Sequence, residues 1–492
     1  MKTMSATVMT NPSANVPQPA APQADHRAAA TAARKAGRLE TFRAPSPSPW
    51  LIKTLAPVNR VLCLGGIPGL RDVPGLRHVP FVRGLTDIRT VDLPKADAER
   101  LQHAVRPDTA AFLTPNHPEF FTDWMLDKEI LDRVAPLSAC WATHTVVNGL
   151  GGLAQSFWLK NNLIAQIPGA AGAEGRAHSV RWAVQGHGVL LHPEGQVGWH
   201  ADWIGPLFPG AVEMAAEAGR ELGALGGQRA AFVVPMVWKL KFHRAAAAGL
   251  ARELDYLEQR LGLPPATPAT PPGQRVHAVY AALLARDEAI WNGTVSTGSY
   301  GARQSRLLQL LADQMKRKLD ALGAERPAVR EDLMQLLRAG DRWLRTADRR
   351  HGYHDEMRRL VRDTRRLMRF QPQIYPHAQL TQEQVAECIK RLRNDYCEGS
   401  LRDTASRFVP RPVAPRTAHV RVPEPINISA LLKGRPSLER AEIDAVVTDL
   451  RARLQSAVDE INAEIGANAP ARGGFIREPN PFYEPGSTRA AS

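Results

Sequence analysis

Between residues 105 and 244, short uninterrupted apolar runs alternate with stretches of helical periodicity. "AAFLT" (110–114), "GVLLH" (188–192) and "AAFVVPMVWKL" (230–240) read as buried strands, and "TDWMLDKEILDRV" (122–134) as a helix after the first of them. Strands separated by helices predict an α/β fold, with a mixed central sheet flanked by helices. Pro235 lies inside the third run and predicts an edge strand or a bulge, because proline cannot donate to a ladder.

The pattern changes near residue 245. "RLLQLLADQMKRKLDAL" and "HDEMRRLVRDTRRLMRF" repeat apolar positions at helical spacing among many arginines, and proline-rich linkers separate such segments. The second stretch reads as a solvated helix packed by its apolar stripe. Alternation returns in "AHVRVPEPINIS" (418–429), and an amphipathic helix follows it, with Ser437 as its expected N-cap. A strand so late in the chain needs a partner, and the earlier sheet is the available one. The chain therefore reads as a disordered tail (1–45), the first part of an α/β domain (46–244), a basic all-helical insertion (245–415), a return strand and final helix (416–468) and a second disordered tail (469–492). The first tail is rich in Ala, Pro, Thr and Ser, too poor in large apolar groups to offset the entropy of ordering. Just after it, "SPWLIKTLAPV" predicts a short helix whose apolar face, Trp50 included, meets either a bilayer surface or the core.

Charge narrows the partners. A net charge of +14 favours polyanions such as anionic lipid headgroups or acidic cofactors. No nucleic acid is expected, because aromatics are few (6%) and none interleave with the basic runs. The four cysteines, at 63, 140, 388 and 397, lack the spacing of a disulfide framework or zinc site. The first residues lack the apolar core of a signal peptide, and no stretch approaches roughly 18 uncharged apolar residues. A cytoplasmic protein, peripheral on the inner face of a membrane, is the expectation.

The candidate chemistry sits where strands end. His117 follows the first strand in "PNHPEFFTDW", with Glu119 and Asp123 as carboxylates within reach. A histidine whose far nitrogen meets a carboxylate is fixed in one tautomer and can take a proton from a hydroxyl. A second His-Pro-Glu triplet, His192 to Glu194, closes the second strand, and Gly210 opens a helix after it.

The order "NHPEFFTD", "HPEG", "PLFPGAVEMAAEAG" and "VVPMVWKL" resembles the phospholipid/glycerol acyltransferase family, over roughly 105 to 244, with "HVRVPEPINI" matching a strand near the end of that domain. The resemblance implies transfer of a fatty acyl group from acyl-coenzyme A or acyl-carrier protein to a hydroxyl of a lysophospholipid or other glycerolipid-type acceptor. His117 would be the general base and Asp123 its partner. Asn116, Pro193, Glu194, Gly195 and Gly210 would lie at the acceptor, and no metal or bound cofactor is implied.

The chain departs from the family pattern in places. Five residues separate His117 from Asp123 where the family has four, and Thr122 stands at the strict position. Either a one-residue bulge at Pro118 restores the contact, or Glu119 takes the role. Gln196 and Val197 replace the usual Thr and Arg, and a second family arginine is missing after Lys160; Lys160, Arg176 or Arg181 are the candidate substitutes for phosphate recognition. Two other readings stand beside this one. A decayed, membrane-binding scaffold would use the basic insertion, and a metal hydrolase would use some of His117, Glu119, Asp123, His187, His192, Glu194, His200 and Asp202.

Overall fold

The computed structural model describes residues 41–76, 79–167, 172–195, 197–198, 200–226, 229–323, 333–370, 375–408, 412–467 and 475–483. The core is a mixed sheet of eight strands flanked by helices. Its strands are β1 (Ile88–Asp92), β2 (Thr109–Pro115), β3 (Ala139–Thr143), β4 (Leu163–Gln166), β5 (Gly188–Leu190), β6 (Ala230–Phe242), β8 (Arg416–Arg421) and β9 (Ile426–Asn427); β7 (Gln379–Thr381) lies outside it. The order across the sheet is β1-β8-β6-β2-β5-β3-β4, with β9 beside β6. The strands from β6 to β4 run parallel, whereas β8 and β9 meet β6 antiparallel.

β2 is buried along its whole length between β5 and β6. That burial on both faces explains why its sequence is an unbroken apolar run rather than an alternating one. On one face, Phe112, Val189 and Val233 pack with the helices Gly210–Leu225 and Arg440–Ala467. On the other, Leu113, Leu190 and Trp238 pack with Leu126 and Ile130 of the helix Thr122–Val134. The late strand does join the early sheet: β8 pairs with β6 and β1.

Pro235 is not at an edge. It sits mid-sheet opposite Thr114, but its other side falls where β6 changes partner, between β9 at residues 232–233 and β8 from residue 237. The absent N–H therefore breaks no ladder bond there. The final helix starts at Arg440, so Ser437 does not cap it.

The segment 245–415 contains seven helices among its described residues, built around a core of its own that includes Leu254, Tyr280, Leu311 and Leu392. It is not purely helical, since β7 pairs antiparallel with β10 (Arg477–Pro479). That pairing also corrects the reading of 469–492 as a disordered tail: residues 475–483 are ordered on the insertion, and Phe482 is buried in its core. Strand pairing and one anchored aromatic suffice to fix a segment whose composition is otherwise tail-like. Of the N-terminal tail, 1–40 lies outside the described residues, while Phe42 packs beside Ile164 and Ala165.

The arginine-rich helix His354–Arg369 buries its stripe of Met357, Leu360, Val361 and Leu367. Its arginines meet aspartates of the same unit: Arg366 on Asp287 (2.6 Å), Arg365 on Asp341 (2.5 Å) and Arg369 on Asp395 (3.1 Å). Among the described residues, no helix is long and apolar enough to cross a membrane.

Candidate active site

β2 and β5 are adjacent, parallel and in register, Leu113 opposite Leu190. The register carries both His-Pro-Glu triplets to the same carboxyl edge of the sheet, where ligand sites of α/β folds gather. Each triplet then serves a different end.

His117 Nδ1 lies 2.6 Å from Asp123 Oδ2. The other Asp123 oxygen accepts the Glu119 backbone N–H at 3.2 Å. The extra residue in the His-to-Asp interval is absorbed at Phe121, which has φ +67°, immediately before the helix carrying Asp123. The bulge is thus at Phe121 rather than Pro118. Glu119 is not the partner: its carboxylate turns to Arg416 of β8 (2.8 Å), whose guanidinium also donates to the Thr86 carbonyl.

The backbone of His117 is clamped from both sides. Its N–H donates to Glu194 Oε1 (2.9 Å), its carbonyl accepts from Gly198 N (2.9 Å), and Glu194 Oε2 accepts from Gly205 N (3.2 Å). Asn116 bonds the Trp238 backbone twice, as donor to the carbonyl and acceptor from the N–H, both at 3.0 Å. Asn116 and Glu194, expected at the acceptor, therefore spend their polar atoms on the protein's own backbone. Burying a polar group costs least when its bonds are made, and these bonds fix the loop that presents the imidazole.

Beside this pair stands a second one. The His192 ring stacks on His117 with centroids 4.0 Å apart and planes 14° apart. His192 Nε2 lies 3.3 Å from Asp127 Oδ2, and Nδ1 lies 3.1 Å from the Asn116 carbonyl. Asp123 and Asp127 are one helical turn apart on the same face of the helix Thr122–Val134. Burial, and then the neighbouring His192, hold His117 well below the ordinary histidine range. Burial and the adjacent Asp127 push Asp123 well up. The ring therefore rests as a neutral imidazole whose Nε2 has no hydrogen-bond partner among the described residues.

A cavity of about 750 Å³ opens on these groups. Its walls are mainly apolar, including Trp141, Val146, Trp158, Leu163 and Met214. Pro193, Gly195 and Gly210 line it. Gly195, at φ +67°, is needed there, because a Cβ would come within 2.5 Å of the Phe208 ring. Cys140 also faces the cavity, but burial pushes its thiol up to about 12, so it is no nucleophile at neutral pH.

The three nominated phosphate partners are elsewhere. Lys160, Arg176 and Arg181 do not line the cavity, and Arg176 is taken up by Glu213 (2.9 Å) and Glu217 (3.1 Å). Gln196 lies outside the described residues; Val197 lines the cavity. Of the other residues considered as metal ligands, His187 stacks on Trp182 with ring centroids 4.3 Å apart, and His200 and Asp202 have polar partners. His200 Nδ1 accepts from Arg391 (2.6 Å), and Asp202 bonds Lys239, Gln384 (2.8 Å) and Asn462 (2.8 Å). Among the described residues, no group of three or more His, Cys, Asp or Glu is arranged to hold a metal ion.

Sequence reasoning missed the role of Asp127 and of Arg416. The first had a signal, its i+4 spacing from Asp123; the second lies about 300 residues away, with none. Compared with protein-family models and with curated proteins, the chain matches none.

Proposed function

We propose that this chain is an O-acyltransferase, which moves a fatty acyl group from acyl-coenzyme A or acyl-carrier protein to a hydroxyl of a lysophospholipid-type acceptor. The observation that carries the reading is the 2.6 Å contact between His117 Nδ1 and Asp123 Oδ2 in the wall of a large apolar cavity. A cavity of that size falls within the roughly 300–1,000 Å³ of small-molecule sites. Apolar walls suit an acyl chain, which gains about 0.8 kcal/mol per methylene buried.

Asp123 Oδ2, 2.6 Å from Nδ1, favours the tautomer that keeps its proton on Nδ1 and so leaves the Nε2 lone pair free. His117 Nε2 takes the proton of the acceptor hydroxyl as its oxygen attacks the thioester carbonyl. The tetrahedral adduct collapses with cleavage of the C–S bond, and the imidazolium returns its proton to the departing thiolate. One ester and one free thiol result, and the enzyme ends as it began. Asp123 offsets the charge that the ring carries in between.

The surroundings support a lipid substrate. Trp50 (73% exposed), Leu150 (67%) and Leu153 (92%) present large apolar groups to solvent. With the net charge of +14, they suit peripheral docking on the anionic inner face of a membrane.

The test is release of thiol from labelled acyl-coenzyme A in the presence of lysophospholipid. Wild type is expected to turn over, and His117→Ala to lose about 10²–10⁴ in kcat with its fold intact. Equal thiol release from the two proteins would refute the assignment.

A further inference from the structure

The helical insertion supplies part of the cavity wall. Its helix Leu333–Thr346 contributes Met334 and Arg338, and the rest of the lining comes from the α/β unit. Arg338 is exposed, with no carboxylate partner among the described residues. Its guanidinium lies over the Phe208 ring, 4.9 Å from the centroid. Other arginines of the insertion, such as Arg365, Arg366 and Arg369, are neutralised by aspartates. Among the described residues lining the cavity, Arg338 is also the one lysine or arginine.

Its placement is coupled to the proton-transfer pair through packed groups. Phe208 covers Gly195, Glu194 precedes Gly195, and Glu194 holds the His117 backbone. The cavity therefore carries buried carboxylates beside the stacked imidazoles and an unneutralised cation on its solvent side. An anionic substrate group entering the cavity is attracted to Arg338. The cation–π contact with Phe208 holds the guanidinium at the cavity, and its N–H groups suit two oxygens of a phosphate.

We propose that Arg338 is the phosphate contact of this site, delivered by the insertion in place of an arginine from the α/β unit. It holds a phosphate of a substrate whose reacting group lies at His117. The inference rests on the acyl-transfer reading and names the chemistry that reading left open. Two sources offer that phosphate: the lysophospholipid acceptor and the coenzyme A donor.

The test uses the full chain as wild type, Arg338→Gln and Arg338→Lys. Affinity is measured by calorimetry for coenzyme A and for octanoyl lysophosphatidate, each alone, so that no turnover is needed. KM and kcat are then measured for each substrate. Arg338→Gln is expected to weaken one of the two ligands about tenfold or more, and to raise the matching KM with kcat within about threefold. The ligand affected identifies the source, and Arg338→Lys is expected to recover part of the loss. Affinities and KM values that stay within twofold for both ligands would overturn the proposal even in an active enzyme. Absence of acyl transfer by wild type would sink the parent reading instead, and the calorimetric comparison would still decide on Arg338.

Discussion

The imidazoles of His117 and His192 lie face to face, 4.0 Å apart, each with its own aspartate from the same helix face. In the proposed reaction, the first pair carries the proton transfer. The second has both ring nitrogens committed, to Asp127 and to the Asn116 carbonyl, so its influence on the first is electrostatic and steric.

Removing that influence is expected to move the pH profile. The groups facing His117 are Asp123 and Asp127 from the helix Thr122–Val134, Glu119 and Glu194 from loops, and His192. His192 contributes to keeping His117 low. His192→Phe with Asp127→Asn preserves a stacked ring and leaves no orphaned carboxylate. The His117 value should then rise. Because the base works only when unprotonated, the acid limb of kcat/KM should shift to higher pH, with the plateau within about tenfold. An unmoved limb would show that the stack has no electrical role.

Asp123 and Glu119 should separate cleanly. Asp123→Asn loses the acceptor that fixes the His117 tautomer, and kcat is expected to fall by roughly 10²–10⁴. Glu119→Gln leaves Arg416 without its charge partner in a buried position, and stability should fall by roughly 3 kcal/mol while kcat stays within about threefold. Denaturant melts and initial rates on the two proteins check both halves. The reverse pattern would assign the partner role to Glu119.

Phe121 invites a comparison of two truncations. Both Phe121→Ala and Phe121→Gly remove the ring, but only glycine relieves the Cβ at φ +67°. The glycine variant should be more stable than the alanine variant by about 1 kcal/mol, the opposite of the usual order. Equal stability would mean that the turn carries no strain.

His200 provides a test of linkage away from the site. Burial, and then Arg391, hold it well below the ordinary 6.5. Its contribution to stability is full above 6.5 and is lost as pH falls from 6.5 toward the folded-state value, by up to about 1.4 kcal/mol per pH unit. His200→Gln keeps an acceptor for Arg391 and removes the titration. Its melting temperature should therefore fall less steeply than that of wild type between pH 6.5 and 5. Comparing variants cancels buried carboxylates such as Glu387, whose raised value of about 8 acts in the opposite sense.

Local pattern announced much of the architecture. The apolar run at 110–114, the helix at 122–134 and the return to β character at 418 were all readable, because strand burial and helical periodicity leave their marks within a few residues. The same local signals misled at Pro235 and at 475–483. There the decisive fact is the partner strand, which a one-dimensional reading does not contain.

By itself, the sequence determined the α/β class, the placing of His117 at a strand end and Asp123 as a candidate carboxylate. These depend on composition and spacing along the backbone. Only the folded chain decided which acid meets the ring, that a left-handed residue at 121 takes up the longer interval, and that β2 and β5 align two histidines in a stack. It also brought Arg416 and Arg338 from distant segments to Glu119 and to the cavity. Such contacts depend on sheet register and on how the insertion packs, and both are set by burying apolar surface across hundreds of residues rather than by any local preference.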